Sequence, residues 1–174
     1  MSDEETQAIE RATAEGFLAL YNERQGADYR VVRVAGRGES PDVECVNSAG
    51  GALWLEVTMT EDNPGDIPAL LGRSNLKSVD ALRDLLRRVK LGTAKMPVNR
   101  IDENVKAVLI QRLQRKFQKR YGTNVALVVR ETSIPWDWEL ILPDVRTEFC
   151  GSSIPFDRGV WLLSYGKDRL TQVF

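Results

Sequence analysis

Residues 41–60 have the sequence PDVECVNSAGGALWLEVTMT, in which two apolar stretches flank a run of small residues. Hydrophobic and polar side chains alternate in both stretches, which is typical of strands with one buried face. The segment Ser48-Ala49-Gly50-Gly51 between them is typical of a hairpin turn. The pattern therefore predicts two antiparallel strands, at Asp42–Asn47 and at Ala52–Thr60.

Two carboxylates belong to this predicted hairpin. Pairing the strands symmetrically about Ala49 places Asp42 opposite Glu56, with their Cβ atoms about 5 Å apart. Carboxylates at that separation repel each other and raise each other's pKa unless something compensates the charge. A divalent cation would do so, since Mg²⁺ favours one or two carboxylates together with waters and a phosphate oxygen. The spacing leaves an alternative open, in which Glu56 lies in water on an edge strand or pairs with an arginine.

The elements around the hairpin predict a mixed sheet with helices packed on it. Helical spacing of apolar residues predicts a helix at 6–23 and a longer one from Ile101 to Tyr121, ended by Gly122. Apolar runs predict strands at 29–34 and at 124–130, the second of them central in the sheet. The order is that of an α/β fold with an αβββαβ core. Further predicted elements are a helix at 79–91, an ambiguous segment at 133–151, and strands at 160–165 and 170–173.

Length and composition predict a globular chain without histidine chemistry. The 174 residues are 43% hydrophobic and 28% charged, which suits one domain over residues 1–174, with its core at about 5–130 and an extension at 131–174. Histidine does not occur, which excludes Ser-His-Asp and Cys-His catalysis and His-ligated metals.

The cysteines and the hydropathy bear on location. Cys45 and Cys150 are far apart, so neither a disulfide framework nor a zinc site is expected, and the expected compartment is the cytoplasm. No apolar run approaches the roughly 20 residues that span a bilayer, and the acidic first ten residues do not resemble a signal peptide. We therefore expect no membrane partner.

Taken together, Pro41-Asp42, Glu56-Val57-Thr58 and the element order resemble the PD-(D/E)XK, or restriction-endonuclease-like, nuclease superfamily. The resemblance covers roughly residues 5–130 and implies a restriction-endonuclease-like core. It implies that Asp42, Glu56 and the backbone carbonyl of Val57 hold Mg²⁺ or Mn²⁺. It also implies hydrolysis of phosphodiester bonds in DNA, with RNA as the second choice.

The sequence departs from that family at one catalytic position. Thr58 stands where the family has a lysine, and threonine carries no positive charge to stabilise the reacting phosphate. The family sometimes supplies this cation from the following helix. At about 100° per residue from Ile101, Arg112 falls at about 20° and Lys116 at about 60°, within or beside the apolar stripe. Lys116 is therefore the predicted replacement, unless it extends past the stripe into water.

Candidates for additional acidic ligands lie on the first helix and on the strand of Asp42. The family's first helix often contributes an acid, and Glu15 is the first candidate here, with Glu10 second. Glu44 shares a strand face with Asp42 and is a third candidate. The alternative for each is an ordinary surface carboxylate.

A basic region suits a nucleic-acid partner. Residues 67–120 carry 14 lysines and arginines against 4 acidic residues, and such a surface binds phosphates without sequence preference. Arg112, Lys119 and Arg120 are the predicted phosphate contacts. Trp136 and Trp138 could stack on bases or pack in the core.

The sequence thus predicts a metal-dependent nuclease acting on DNA, with catalytic residues Asp42, Glu56, Thr58 and Lys116. The alternative is a catalytically degenerate protein of the same fold that binds nucleic acid or another protein, and Thr58 is its best support. Homodimerisation is left open by the sequence.

Overall fold

A computed structural model of the chain describes residues 3–36, 38–60, 91, 101–131, 138–164, 166 and 168–174, with the side chains of α2 described from Lys106 onward. In chain order the described elements are helix α1 (Asp3–Gln25), strands β1 (Arg30–Val34), β2 (Val43–Val46) and β3 (Ala52–Met59), helix α2 (Ile101–Phe117), strand β4 (Val125–Arg130), helix α3 (Trp138–Glu148), and strands β5 (Val160–Leu163) and β6 (Leu170–Gln172). The predicted helix at 79–91 lies outside the described residues, apart from Leu91.

The strands form one mixed sheet in the order β1-β2-β3-β4-β5-β6. The pairs β1/β2, β2/β3 and β5/β6 are antiparallel, whereas β3/β4 and β4/β5 are parallel. Every residue of β4 except the last is buried, as expected of a parallel strand covered on both faces. The predicted α/β class is therefore confirmed, and so is the central position of this strand.

The β2–β3 hairpin has the register that its sequence symmetry predicts. Val43 pairs with Leu55 and Val46 pairs with Ala52. Extended by one residue, this register places Asp42 at the level of Glu56. Because side chains alternate along a strand, both carboxylates belong to the face opposite to that of Val43 and Leu55.

The two faces of the sheet bury different helices. α1 packs Phe17 and Leu18 against the face that carries Leu53 and Leu55. On the other face α2 and α3 cover β4 and β5, with a core that includes Leu109, Leu113, Val125, Leu127, Val129, Ile141 and Val160. Trp54 packs against this second core, so Glu56, two residues further along β3, faces α2.

The structure sets the end of the predicted second helix and resolves the ambiguous segment at 133–151. α2 ends at Phe117 rather than at Tyr121, so Gly122 does not end it. α3 continues through Pro143, although proline removes one helical hydrogen bond. The burial of Ile141, Leu142 and Val145 on one side of α3 compensates for that bond.

The structure gives the exposure of the two cysteines and the packing of one tryptophan. Cys45 is buried and Cys150 is exposed, and both are free thiols. Trp138 donates its indole N–H to Glu131 Oε1 at 2.8 Å and packs against the core of the α2 face, so it is a packing residue and not an exposed stacking surface. Trp136 lies outside the described residues.

Among the helices of the described ranges, none is long and apolar enough to cross a membrane.

Candidate active site

Glu56 lies at the centre of a hydrogen-bonded cluster on the α2 face of the sheet. The residue is 1% exposed, and both of its carboxylate oxygens have donors. Lys116 Nζ donates to Oε1 at 2.6 Å and the Tyr121 hydroxyl donates to the same oxygen at 3.1 Å. Ser40 Oγ donates to Oε2 at 2.8 Å. A buried carboxylate is costly without such donors, so the cluster explains how β3 tolerates a glutamate in its buried middle.

Lys116 reaches Glu56 from the last turn of α2, as the helical spacing predicts. Its side chain is 20% exposed, and its ammonium also donates to the backbone carbonyl of Val57 at 3.3 Å. Lys119 Nζ lies 3.8 Å from Glu56 Oε1, but its side chain is 56% exposed. The positive charge that Thr58 does not supply is therefore present at the carboxylate, provided by a neighbouring helix.

Asp42 lies immediately before β2 and is joined to β3 by its carboxylate. Its Oδ2 accepts a hydrogen bond of 2.7 Å from the Val57 N–H. The pKa of Asp42 is raised to about 6, first by burial and then by the charge of Glu56, while the Val57 hydrogen bond and the charges of Lys116 and Lys119 oppose the rise. The two acids predicted to lie together are thus electrostatically coupled.

The acid that α1 contributes is Glu10, and the preference for Glu15 was wrong. The pKa of Glu10 is raised to about 7, first by burial and then by the charges of Asp42 and Glu56, while the charge of Lys116 opposes the rise. Glu15 is exposed. Glu10 and Asp42 line the same open cavity of about 320 Å³, which gives solvent access to this edge of the site.

Two further predicted residues have different partners. Glu44 accepts a hydrogen bond from Arg33 at 3.4 Å, so a guanidinium compensates its charge, and its place in the acidic cluster stays a prediction. Arg112 donates to the backbone carbonyl of Met59, which ties α2 to the end of β3. Its predicted role in phosphate binding therefore competes with a structural one.

The remaining predicted residues differ in their exposure. Thr58 is half-buried two residues after Glu56, hence on the same face of β3. Lys119 and Arg120 are exposed beyond the end of α2. Their side chains are in reach of solvent and hence of a phosphate backbone, and their binding role stays a prediction.

Ser40 and Tyr121 were not identified from the sequence. Ser40 precedes Pro41 in the loop before β2, where a serine is an ordinary turn residue. Tyr121 continues the apolar stripe of α2, and its ring packs at a tilt against Phe156, with centroids 4.5 Å apart. Only its hydroxyl belongs to the site. Burial and the charge of Glu56 raise the pKa of Tyr121, so it remains a phenol donor.

The carboxylate and carbonyl oxygens of the cluster suit a hard divalent cation that takes only a few of its ligands from the protein. Lys116 Nζ donates both to Glu56 and to the Val57 carbonyl, and Asp42 accepts from the Val57 N–H, so all three acceptors are linked to one short part of β3. Each carboxylate has about four acceptor positions. Mg²⁺ commonly takes one or two carboxylates and keeps waters and substrate phosphates for its other positions. Within the described ranges, no group of three or more histidine, cysteine, aspartate or glutamate residues is arranged to hold a metal ion. A metal here would therefore depend on substrate oxygens and water for most of its ligands.

Comparison with known proteins adds no relative. No family model matches the chain, and no curated protein or solved structure is significantly similar to it. The geometry of the cluster is consequently the basis for the function proposed below.

Tyr121→Phe is expected to lower the free energy of unfolding by about 1.5–3 kcal/mol, because it removes a hydrogen bond to a charged, buried acceptor while keeping the ring. Urea denaturation measures the change. In the background of Glu56→Gln the same substitution should cost clearly less, since the acceptor is then neutral. An equal cost in both backgrounds would show that the hydroxyl does not act through Glu56.

Proposed function

We propose that the chain is a metal-dependent nuclease that hydrolyses phosphodiester bonds of DNA, with a PD-(D/E)XK-type site whose lysine has moved to α2. The observation that carries the proposal is the ion pair of 2.6 Å between Lys116 and Glu56, beside the coupled carboxylate of Asp42. Two acids and one cation in this arrangement supply the charges that the chemistry needs.

Each residue of the site has a distinct part in this mechanism. Asp42, Glu56 and the Val57 carbonyl would hold the cation with the lone pairs that the hydrogen bonds from Lys116, Tyr121 and Ser40 leave free. When bound, the cation neutralises phosphate charge and lowers the pKa of a coordinated water. Water would add to phosphorus while one P–O bond of the backbone breaks, and the proton that the water loses to solvent would be balanced by one that the departing oxygen takes up from solvent.

Lys116 would stabilise the phosphate as its charge increases. Lysine has three N–H donors, and Glu56 and the Val57 carbonyl accept two of those of Lys116. The third can donate to a non-bridging phosphate oxygen. Because its two protein acceptors fix the ammonium before substrate arrives, little reorganisation is needed during the reaction.

Affinity for nucleic acid would come from lysines and arginines near the end of α2. Lys119 and Arg120 are exposed there, within one turn or so of Lys116. Phosphate contacts of this kind are independent of sequence. They weaken as the salt concentration rises, because the release of counterions from the nucleic acid then contributes less free energy.

Cleavage of plasmid and single-stranded DNA in Mg²⁺ or Mn²⁺ tests the proposal. We expect Asp42→Ala and Glu56→Gln to reduce the rate by at least about a hundredfold, the loss typical of removing one group that stabilises transition-state charge, and EDTA to abolish it. Glu15→Gln, an exposed acid on α1, is the matched control and should cleave at the wild-type rate. Cleavage that survives both site substitutions would reject this active site.

A second candidate function is a degenerate nuclease fold that binds nucleic acid without cutting it. The observation that favours it is the enclosure of Glu56, which is 1% exposed and accepts three side-chain donors. DNA binding that is unaffected by EDTA, with no cleavage in any divalent metal, would support this second function over the first.

A further inference from the structure

A second open cavity, of about 380 Å³, lies beside the candidate active site. Its lining includes Trp54 and Pro41, which are apolar, and Arg33, Ser40 and Thr123, which are polar. Its size is that of ligand pockets, which run from about 300 Å³ upward and combine apolar walls with a few polar groups. We call it the Trp54 cavity.

We propose, on the basis of the nuclease function above, that the Trp54 cavity binds one unstacked base of the nucleic acid next to the phosphate being cut. The substrate class is then single-stranded DNA, or a duplex with a base displaced from its stack. Bases of either kind expose their flat faces to an aromatic side chain.

The connection between this cavity and the active site is direct. Trp54 precedes Glu56 by two residues on the same face of β3, about 7 Å away along the strand. Ser40 lines the cavity and donates to Glu56 at 2.8 Å. A nucleotide whose phosphate lies at Glu56 would therefore bring its own base or a neighbouring one to Trp54.

Trp54 is held firmly enough to act as a stacking surface. It pairs with Glu44 on β2 and with Val125 on β4, and its backbone N–H donates to Asn124 at 2.8 Å. Its side chain is half-buried against the core of the α2 face. A rigid ring loses little conformational freedom when a base binds.

The charges at the edge of the cavity favour stacking over phosphate binding. Arg33 donates to Glu39 at 2.7 Å and to Glu44 at 3.4 Å, so two carboxylates compensate its charge. Because Glu39 also lines the cavity, the carboxylates outnumber the guanidinium, and a phosphate would meet a negative rim. A base would find an indole face, a proline ring and hydroxyl groups.

The other described tryptophans are committed elsewhere. Trp161 is 3% exposed and packs edge-on against Tyr21, with ring centroids 5.5 Å apart. Trp138 donates to Glu131. Trp54 combines partial exposure with a cavity that adjoins Glu56.

Binding of a fluorescently labelled single-stranded oligonucleotide, measured by anisotropy in Ca²⁺ to limit cleavage, tests the assignment. Stacking of one base typically contributes enough that Trp54→Leu should weaken binding about tenfold. Trp54→Phe should retain part of the affinity, and Trp138→Phe, the matched control, should retain all of it. Thermal melting of each variant verifies that it folds.

A scan with single abasic sites identifies the base. One abasic position should weaken binding to the wild type about tenfold and have no further effect on Trp54→Leu, which is the mark of two groups that act together. The assignment would be overturned if Trp54→Leu lost the same affinity for intact and for abasic strands, or if it bound with wild-type affinity. Either result would overturn it even if Mg²⁺-dependent cleavage is present. Coupling in a protein that does not cleave would support the base cavity and reject the nuclease function.

Discussion

Replacing Lys116 by methionine is expected to abolish cleavage and to lower the free energy of unfolding by about 3–5 kcal/mol, the usual cost of removing one partner of a buried ion pair. The side chain of Glu56 is only 2% exposed, so water cannot replace the ammonium. Ser40 and Tyr121 would remain as neutral donors, which cannot compensate a full negative charge. Chemical denaturation and a cleavage assay on the same preparation measure both effects.

Two further variants separate the ion pair from general damage to α2. Adding Glu56→Gln to Lys116→Met should recover most of the lost stability, because the unpaired charge is removed, but no activity. Lys119→Met is the control for stability. Its ammonium is 3.8 Å from the same oxygen and its side chain is 56% exposed, so we expect a change below about 1 kcal/mol. A Lys116→Met protein as stable as the wild type would contradict the buried pair.

The juxtaposition of Asp42, Glu56 and Lys116 could be predicted because it follows from local periodicities. A short turn fixes the register of a hairpin, and symmetry about Ala49 then determines which residues lie opposite each other. The angle of Lys116 on α2 needs only the helical repeat. The observed ladder and ion pair agree with both.

The choice between Glu10 and Glu15 could not be made from the sequence. Both are acids on α1, and which of them approaches Asp42 depends on where the helix crosses the sheet. That position is set by the packing of Phe17 and Leu18 on β2 and β3, a tertiary property with no local sequence signal. Strong periodicity predicts that a segment is helical, but it does not predict where that helix packs on the sheet.

Tyr121 and Ser40 show a second limit to the prediction of site residues from the sequence. Tyr121 continues the apolar stripe of α2, but the helix ends at Phe117, and beyond that residue the helical angle no longer says which way a side chain points. Ser40 lies in a loop, where residue type reflects turn chemistry as much as function. Both reach Glu56 by contacts over 16 or more residues, and these depend on the completed fold.

Replacing Asp42 by asparagine is expected to abolish cleavage and yet to raise the free energy of unfolding of the metal-free protein by about 1–3 kcal/mol at pH 8. The pKa of Asp42 is raised from 3.8 to about 6, first by burial and then by the charge of Glu56, and each pKa unit corresponds to about 1.4 kcal/mol. Asparagine keeps an oxygen for the Val57 N–H but carries no charge. A substitution that increases stability while removing activity is typical of a functional position.

The sign of the pH dependence follows from the direction of the shift. An acid whose pKa is raised in the folded state favours folding when it is protonated, so it costs nothing below about pH 3.8 and its full penalty applies above about pH 6. Asp42→Asn should therefore equal the wild type in stability at low pH and exceed it as the pH rises through that window. Glu10, with its pKa raised to about 7, extends the loss of wild-type stability upward in pH.

Asp157→Asn provides the control of opposite sign. Although burial opposes it, hydrogen bonds from the Asn124 and Val125 N–H groups lower the pKa of Asp157, so this substitution should destabilise the protein at neutral pH. Excess Mg²⁺ should stabilise the wild type, because it binds only the folded state, but not Asp42→Asn. If Asp42→Asn were less stable than the wild type at pH 8 without metal, Asp42 would be a structural carboxylate, and the repulsion that a bound cation is proposed to relieve would not exist.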